Sequence, residues 1–344
     1  MLPLRPVLRC VILSAFALLG VAVLGTAVLV VPAAARSVAS PPAPDSMSLL
    51  PPTTSASGPL VIPMGLTVDG IPRRWTLVVP SSAPKGPIDL VVALHGVGHT
   101  GDEMRAFGLE DFAVPAGVAV AYPDGAYGIW NDGRPGAEVL TPSGQPTDDI
   151  EFLRDLIALS ASQMQRRIAA VGVVGFSNGA MMAARVACEM SDVVSVVAIV
   201  AGSAGEGFQG QCRPDEAVSV AVIAARNDPV VPYAGGTVAS FQGHARGRVS
   251  GVDATTSFWA AVDGCVVTRD TGVAASSPVV LGAAADTCSS SRHVVRYAID
   301  DTAHAWKRTA GFDTTAVVWS FVRQELPRIP SLLQVARGAL GTAP

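Results

Sequence analysis

The sequence predicts an α/β domain, a largely parallel sheet covered on both faces by helices. Three observations predict it. First, unbroken apolar runs recur along the chain, among them VVAL (91–94), VAVAY (118–122) and VSVVAIV (194–200). Runs of this kind belong to strands buried on both faces, as parallel strands are. Second, these runs alternate with helical stretches, which is the β-α order of a three-layer domain. Third, a serine between two glycines joins one such strand directly to a helix.

The elements follow in chain order. Arg5 and Arg9 open the chain, an apolar run from Val11 to Val31 follows, and Pro32-Ala33-Ala34-Ala35-Arg36 supplies small residues at a cleavage position. Residues 1–35 therefore read as a secretory signal peptide. The run is also about as long as a membrane span requires, so an uncleaved anchor is the competing reading. Cys10 precedes the run and has no small residue before it, which argues against lipidation. Residues 36–58 are rich in Pro, Ser, Thr and Ala and read as a flexible spacer. The domain is expected over 59–326, with a short Pro/Gly/Ala-containing tail at 327–344.

Within the domain, strands are expected at Trp75–Pro80, Ile88–Leu94, Val118–Tyr122, Val171–Gly175, Val194–Ala201, Val218–Ala225 and His293–Ile299. Helices are expected at Asp149–Gln165, Gly179–Met190, Ala254–Val262 and Thr314–Gln324. Asp148 with Glu151 three residues on forms a capping-box pattern for the first helix.

Net charge is −4, which gives no electrostatic footprint for a nucleic-acid partner. Beyond Cys10 the cysteines are Cys188, Cys212, Cys265 and Cys288. An even number in an exported chain points to two disulfides. Of the three possible pairings, the sequence-neighbour one, Cys188–Cys212 and Cys265–Cys288, is expected. No CxxC spacing suggests zinc. His95 and His99 stand on a glycine-broken loop without the Glu of a zincin helix, so no metal or organic cofactor is expected.

The sharpest motif is Gly175-Phe176-Ser177-Asn178-Gly179, with the strand VGVVG running in and the helix GAMMAARVA running out. This fits the G-x-S-x-G elbow of the α/β-hydrolase fold, in which a tight turn raises the serine above the sheet edge. The bland alternative is a helix N-cap serine between flexible glycines. A nucleophilic serine needs a base, and the base needs an orienting acid, in the order Ser, acid, His on this fold. His304 follows the strand 293–299 at the edge where Ser177 is expected, whereas His244 lies in a polar loop and His293 at a strand start. Asp228 follows the strand 218–225 in the same way, and its rivals are Asp263, Asp300 and Asp301. A surface histidine and a pre-proline turn aspartate are the plain alternatives. The oxyanion amides are expected from Asn178 and from Val97, in the loop Leu94-His95-Gly96-Val97-Gly98.

These stretches together resemble the polyhydroxybutyrate depolymerase and feruloyl esterase family of extracellular esterases. The matching residues are LVVALHG (90–96), AYPDG (121–125), Trp130-Asn131, TDDIEFL (147–153), VGFSNGAMMAARVAC (174–188), VAIVAG (197–202), NDPVVPYAGG (227–236) and HAW (304–306). The resemblance spans about residues 60 to 325. It implies Ser177, Asp228 and His304 as catalytic residues and an oxyanion hole near Val97 and Asn178. The chain departs from the family pattern at Val97, Ala224-Ala225, Thr302-Ala303 and Lys307-Arg308, positions around the expected substrate mouth.

The function expected is secreted hydrolysis of small-molecule or oligomeric carboxylic esters: hydroxyalkanoate oligomers, feruloyl-type or other short esters. Membrane contact is expected only through the N-terminal segment. Tyr127, Trp130 and Trp306 are candidates for an aromatic substrate wall. The alternatives are a serine peptidase or envelope acyltransferase on the same fold, and an inactive envelope-binding protein.

Overall fold

A computed structural model describes residues 58–82, 85–266, 280–288, 292–309 and 311–326. The expected signal peptide, all but Gly58 of the expected spacer, and the tail from 327 lie outside the described residues.

A ten-stranded sheet carries the fold. Its strands are β1 (Leu60–Val68), β2 (Ile71–Val79), β3 (Ile88–Leu94), β4 (Ala119–Pro123), β5 (Ile168–Phe176), β6 (Val194–Val200) and β7 (Ser219–Ala225), then β10 (Cys265–Val266), β11 (Val280–Cys288) and β12 (His293–Ile299). A separate two-stranded hairpin, β8 (Gly236–Thr237) with β9 (Arg248–Val249), sits between β7 and β10 in sequence. The helices are α1 (Gly101–Arg105), α2 (Glu110–Ala113), α3 (Asp149–Met164), α4 (Asn178–Glu189), α5 (Phe208–Gln211), α6 (Val252–Val262) and α7 (Thr314–Glu325).

The sheet order is β1-β2-β4-β3-β5-β6-β7-β12-β11-β10. From β4 to β12 every neighbouring pair is parallel. Both flanks are antiparallel, with β1-β2-β4 at one side and β12-β11-β10 at the other. All seven expected strands and four expected helices form, within a few residues of their expected ends. The flanking strands β1, β10 and β11 are additions to that reading. In β1 Pro63 and Gly65 interrupt the apolar residues, and most of its side chains are only half-buried.

Side-chain alternation divides the apolar runs between two cores. In β3, Leu90, Val92 and Leu94 face one layer with Phe152 and Leu156 of α3, Met182 of α4 and Trp259 of α6. Val91 and Ala93 face the other, with Met104 of α1 and Val318 and Val322 of α7. That is why the runs are unbroken: odd and even positions are both buried. Asp148 caps α3 by accepting the Glu151 N–H at 2.9 Å. Cys188–Cys212 and Cys265–Cys288 are both disulfides, the sequence-neighbour pairing. Such bridges suit an oxidising compartment outside the cytoplasm. Among the described residues no helix is long and apolar enough to cross a membrane.

Candidate active site

Parallel strands end at a common edge, and three of the loops leaving that edge carry Ser177, Asp228 and His304. Ser177 follows β5, Asp228 lies three residues past β7, and His304 lies five past β12. The turn at Ser177 is sterically demanding. A Cβ on Gly175 would stand 2.0 Å from the Gly179 carbonyl oxygen, and one on Gly179 would stand 2.3 Å from the Leu94 carbonyl oxygen. Only hydrogens fit at those two positions. Ser177 itself adopts φ 56°, ψ −116°, a strained conformation for a residue with a side chain. Its hydroxyl makes no cap to α4, so it does not act as an ordinary N-cap.

The hydroxyl points instead at the histidine. Ser177 Oγ lies 2.8 Å from His304 Nε2, and His304 Nδ1 lies 2.7 Å from Asp228 Oδ2. The other carboxylate oxygen, Asp228 Oδ1, accepts the Val230 and Val231 N–H groups at 2.8 and 2.9 Å. Those two bonds hold the carboxylate plane so that Oδ2 faces the imidazole. The rival groups lie elsewhere. His293 pairs with Glu325 at 3.0 Å, and His244 is exposed at the tip of the β8–β9 hairpin. Asp263 accepts the N–H of Val218 ahead of β7, at the opposite edge of the sheet. The Asp301 carboxylate binds Lys307 at 2.7 Å, which lowers its pKa.

Two backbone amides adjoin the serine without an acceptor among the described residues: those of Val97 and Asn178. The Val97 loop is close, since a Cβ built on Gly96 would lie 3.3 Å from Ser177 Cβ. His95 braces this loop. It is buried, its Nε2 accepts the Gly125 N–H at 2.9 Å, and its Nδ1 lies 2.7 Å from the Gly96 carbonyl. An Nε2 that accepts leaves the proton on Nδ1, so the ring is neutral, and burial lowers its pKa accordingly. On the other side, the Asn178 side chain accepts the Trp130 N–H at 2.8 Å and donates to Trp130 O at 3.1 Å and Asp132 Oδ2 at 2.6 Å. Asp132 is forked by Arg134, both oxygens at 2.8 Å. Asp149 accepts the Asn131 N–H at 2.7 Å and pairs with buried Arg73 at 2.5 Å. The stretches TDDIEFL and Trp130-Asn131 thus serve to anchor the loop that orients Asn178.

A cavity of about 250 Å³ opens at the serine. Its walls include Val97, Phe176, Met181, Val238, Phe241 and Arg246. The expected aromatic wall is corrected by the packing. Trp130 is fully buried, with its indole N–H on the His95 carbonyl at 3.0 Å. Trp306 stacks on Phe107 at 5.0 Å and donates to Thr315 at 2.8 Å. Tyr127 is 63% exposed. None of the three lines the cavity. Phe241 and Arg246, which do, belong to the β8–β9 hairpin, a polar segment with no periodicity to mark them. Met181 was more legible, four residues and one helical turn beyond Ser177.

The strand order, the parallel centre and a serine elbow between β5 and α4 define the α/β-hydrolase fold. No family model matches the sequence. A curated protein described as putative esterase NocK, from Nocardia uniformis subsp. tsuyamanensis, is 29% identical over 253 residues, covering 70% of this chain and 72% of that one. Among solved structures, an acetyl xylan esterase from Aspergillus awamori is similar at 15% identity and TM-score 0.49, covering 75% of this chain and 99% of that one. A cold-adapted esterase from an Arctic intertidal metagenomic library is similar at 13% identity and TM-score 0.48, covering 80% and 97%. A thermostable esterase is 16% identical at TM-score 0.41, covering 59% of this chain and about half, 52%, of that chain.

Proposed function

We propose that this chain is a serine carboxylic-ester hydrolase, with Ser177 as nucleophile, His304 as general base and acid, and Asp228 as the group that orients the imidazole. The observation that carries the reading is the hydrogen-bonded relay from Ser177 Oγ through His304 to Asp228, at 2.8 and 2.7 Å. The similarity to a protein described as an esterase supports the choice of ester.

In the reaction, Ser177 Oγ attacks the ester carbonyl carbon as its proton passes to His304 Nε2. The negative charge that develops on the carbonyl oxygen is stabilised by the Val97 and Asn178 amides, with the positive end of α4 behind them. Collapse breaks the C–O bond, and the leaving alkoxide takes the proton from His304. Water, deprotonated by His304, then attacks the acyl-enzyme and releases the acid. Asp228 keeps the Nδ1 proton in place and stabilises the imidazolium in both halves.

The substrates proposed are small soluble esters, hydroxyalkanoate oligomers and feruloyl-type esters among them, as in the family that the motifs resemble. A cavity of about 250 Å³ suits a short acyl or aryl group. Residues 59–326 are the proposed catalytic domain, exported by the N-terminal segment. Ser177→Ala tests the reading: p-nitrophenyl butyrate turnover should fall by roughly 10⁶ in kcat while the circular dichroism spectrum is unchanged. Turnover retained in the variant would exclude the mechanism. A peptide substrate run alongside separates esterase from peptidase.

A further inference from the structure

We propose that Arg246 binds a carboxylate on the substrate, so that the preferred esters are monoanions. The inference rests on the esterase reading above and narrows its substrate class. Arg246 lines the same cavity as Ser177 and His304. Its Nε is buried and has no hydrogen-bond partner among the described residues. The terminal nitrogens have no hydrogen-bond partner among the described residues either, so they are available to an acceptor that enters the cavity Arg246 lines.

Among the described residues no carboxylate pairs with it, and the nearby Asp132 is held by Arg134. The cavity's other cation, Arg134, is fully engaged by Asp132 and also donates to the Arg246 carbonyl at 2.6 Å. That bond fixes the Arg246 backbone. Partial burial, and after it the charge of Arg134, disfavour the Arg246 cation, and Asp132 only partly compensates. A second anion is therefore wanted at Arg246, and a carboxylate matches the guanidinium fork. One unspent cation suits a monoanion better than a phosphate dianion.

The position is built. The β8–β9 hairpin that carries Arg246 is tied to the acid loop by the Ala239 N–H on the Val230 carbonyl at 2.9 Å. Phe241 lies under the guanidinium, 5.4 Å from its ring centroid. The same ring packs on Gly98, where a Cβ would come within 2.6 Å of it. One phenyl ring thus links Arg246 to the loop of the Val97 amide. An ester whose carboxylate lies a few bonds from the scissile carbonyl would reach both. Hemiesters and hydroxyacyl oligomers with a free carboxyl end have that form.

The test compares 4-acetoxybenzoate with its neutral isostere 4-acetoxybenzamide, on the wild type and on Arg246→Met, Arg246→Gln and Arg246→Lys. The ratio of kcat/KM, anion over amide, should fall about 10- to 100-fold in the Met and Gln variants, mainly through KM. Lys should restore part of it. An unchanged ratio in a folded Met or Gln variant would overturn the proposal while leaving the esterase reading intact. If the wild type hydrolyses neither compound nor p-nitrophenyl butyrate, the esterase reading has failed instead. Binding then decides the proposal. The product 4-hydroxybenzoate should raise the melting temperature of the wild type more than 4-hydroxybenzamide does, and equal shifts would overturn it.

Discussion

Replacing Asp228 by asparagine changes one atom, and the structure specifies what that atom does. Asp228 Oδ1 accepts two backbone N–H groups, from Val230 and Val231, at 2.8 and 2.9 Å. An asparagine must keep its oxygen there. Turning the amide over would set its NH₂ against two donors and forfeit two hydrogen bonds, about 1–3 kcal/mol each. The NH₂ therefore occupies the Oδ2 position, 2.7 Å from His304 Nδ1. It donates to Nδ1, which puts the ring proton on Nε2. Nε2 then faces Ser177 Oγ as a donor, 2.8 Å away, and cannot accept its proton. The expected loss is about 10⁴ in kcat, the scale of a wrong-tautomer triad. At 1.36 kcal/mol per tenfold, that is about 5 kcal/mol of transition-state stabilisation. Stopped-flow turnover of p-nitrophenyl butyrate measures it, with thermal unfolding as the control for the fold. A folded variant within about tenfold of wild type would refute the argument that Asp228 sets the tautomer.

Two further predictions concern the scaffold. Gly179→Ala places a methyl group 2.3 Å from Leu94 O and 2.5 Å from His95 O, so the end of β3 must shift. Overpacking of about 1–3 kcal/mol should lower Tm by roughly 2–10 °C, and kcat should fall because the shift passes into the Val97 loop; calorimetry showing an unchanged Tm would contradict this. Burial raises the Asp263 pKa to about 7 from an unfolded value near 3.8, so the folded state holds the proton over that interval. Stability from this group falls as pH rises from about 4 to about 7, by up to a few kcal/mol at 1.36 kcal/mol per unit. Asp263→Asn keeps the acceptor for the Val218 N–H and should flatten that slope, as urea melts at several pH values would register.

Much of the site could be read in the chain because its constraints are local. Backbone contact inside the turn demands glycine at 175, where a Cβ would strike Gly179 O, while glycine at 179 is demanded by the Leu94 and His95 carbonyls of the adjoining strand end. Strand runs with both faces apolar imply a parallel centre, and a parallel centre brings the loops after β5, β7 and β12 to one edge. The same edge favours His304 over His293 and Asp228 over Asp263. The aromatic wall failed for the opposite reason. Trp130, Tyr127 and Trp306 sit near motif residues in sequence, yet proximity along the chain says nothing about the direction of a loop side chain. Trp130 turns inward because its indole N–H meets a buried carbonyl and its backbone meets Asn178.

The sequence alone determined the parallel α/β core and the serine elbow, whereas the cysteine pairing was left among three possibilities until the tertiary structure joined Cys188 to Cys212 and Cys265 to Cys288. The core and the elbow rest on steric or periodic rules that act chiefly within a few residues. Only the tertiary structure decided which side chains enclose the serine. The β8–β9 hairpin folds over it from a point some sixty residues further along the chain, held by the Val230 carbonyl and by Arg134. Such packing depends on groups far apart in the polymer, and no local pattern in a polar loop encodes it.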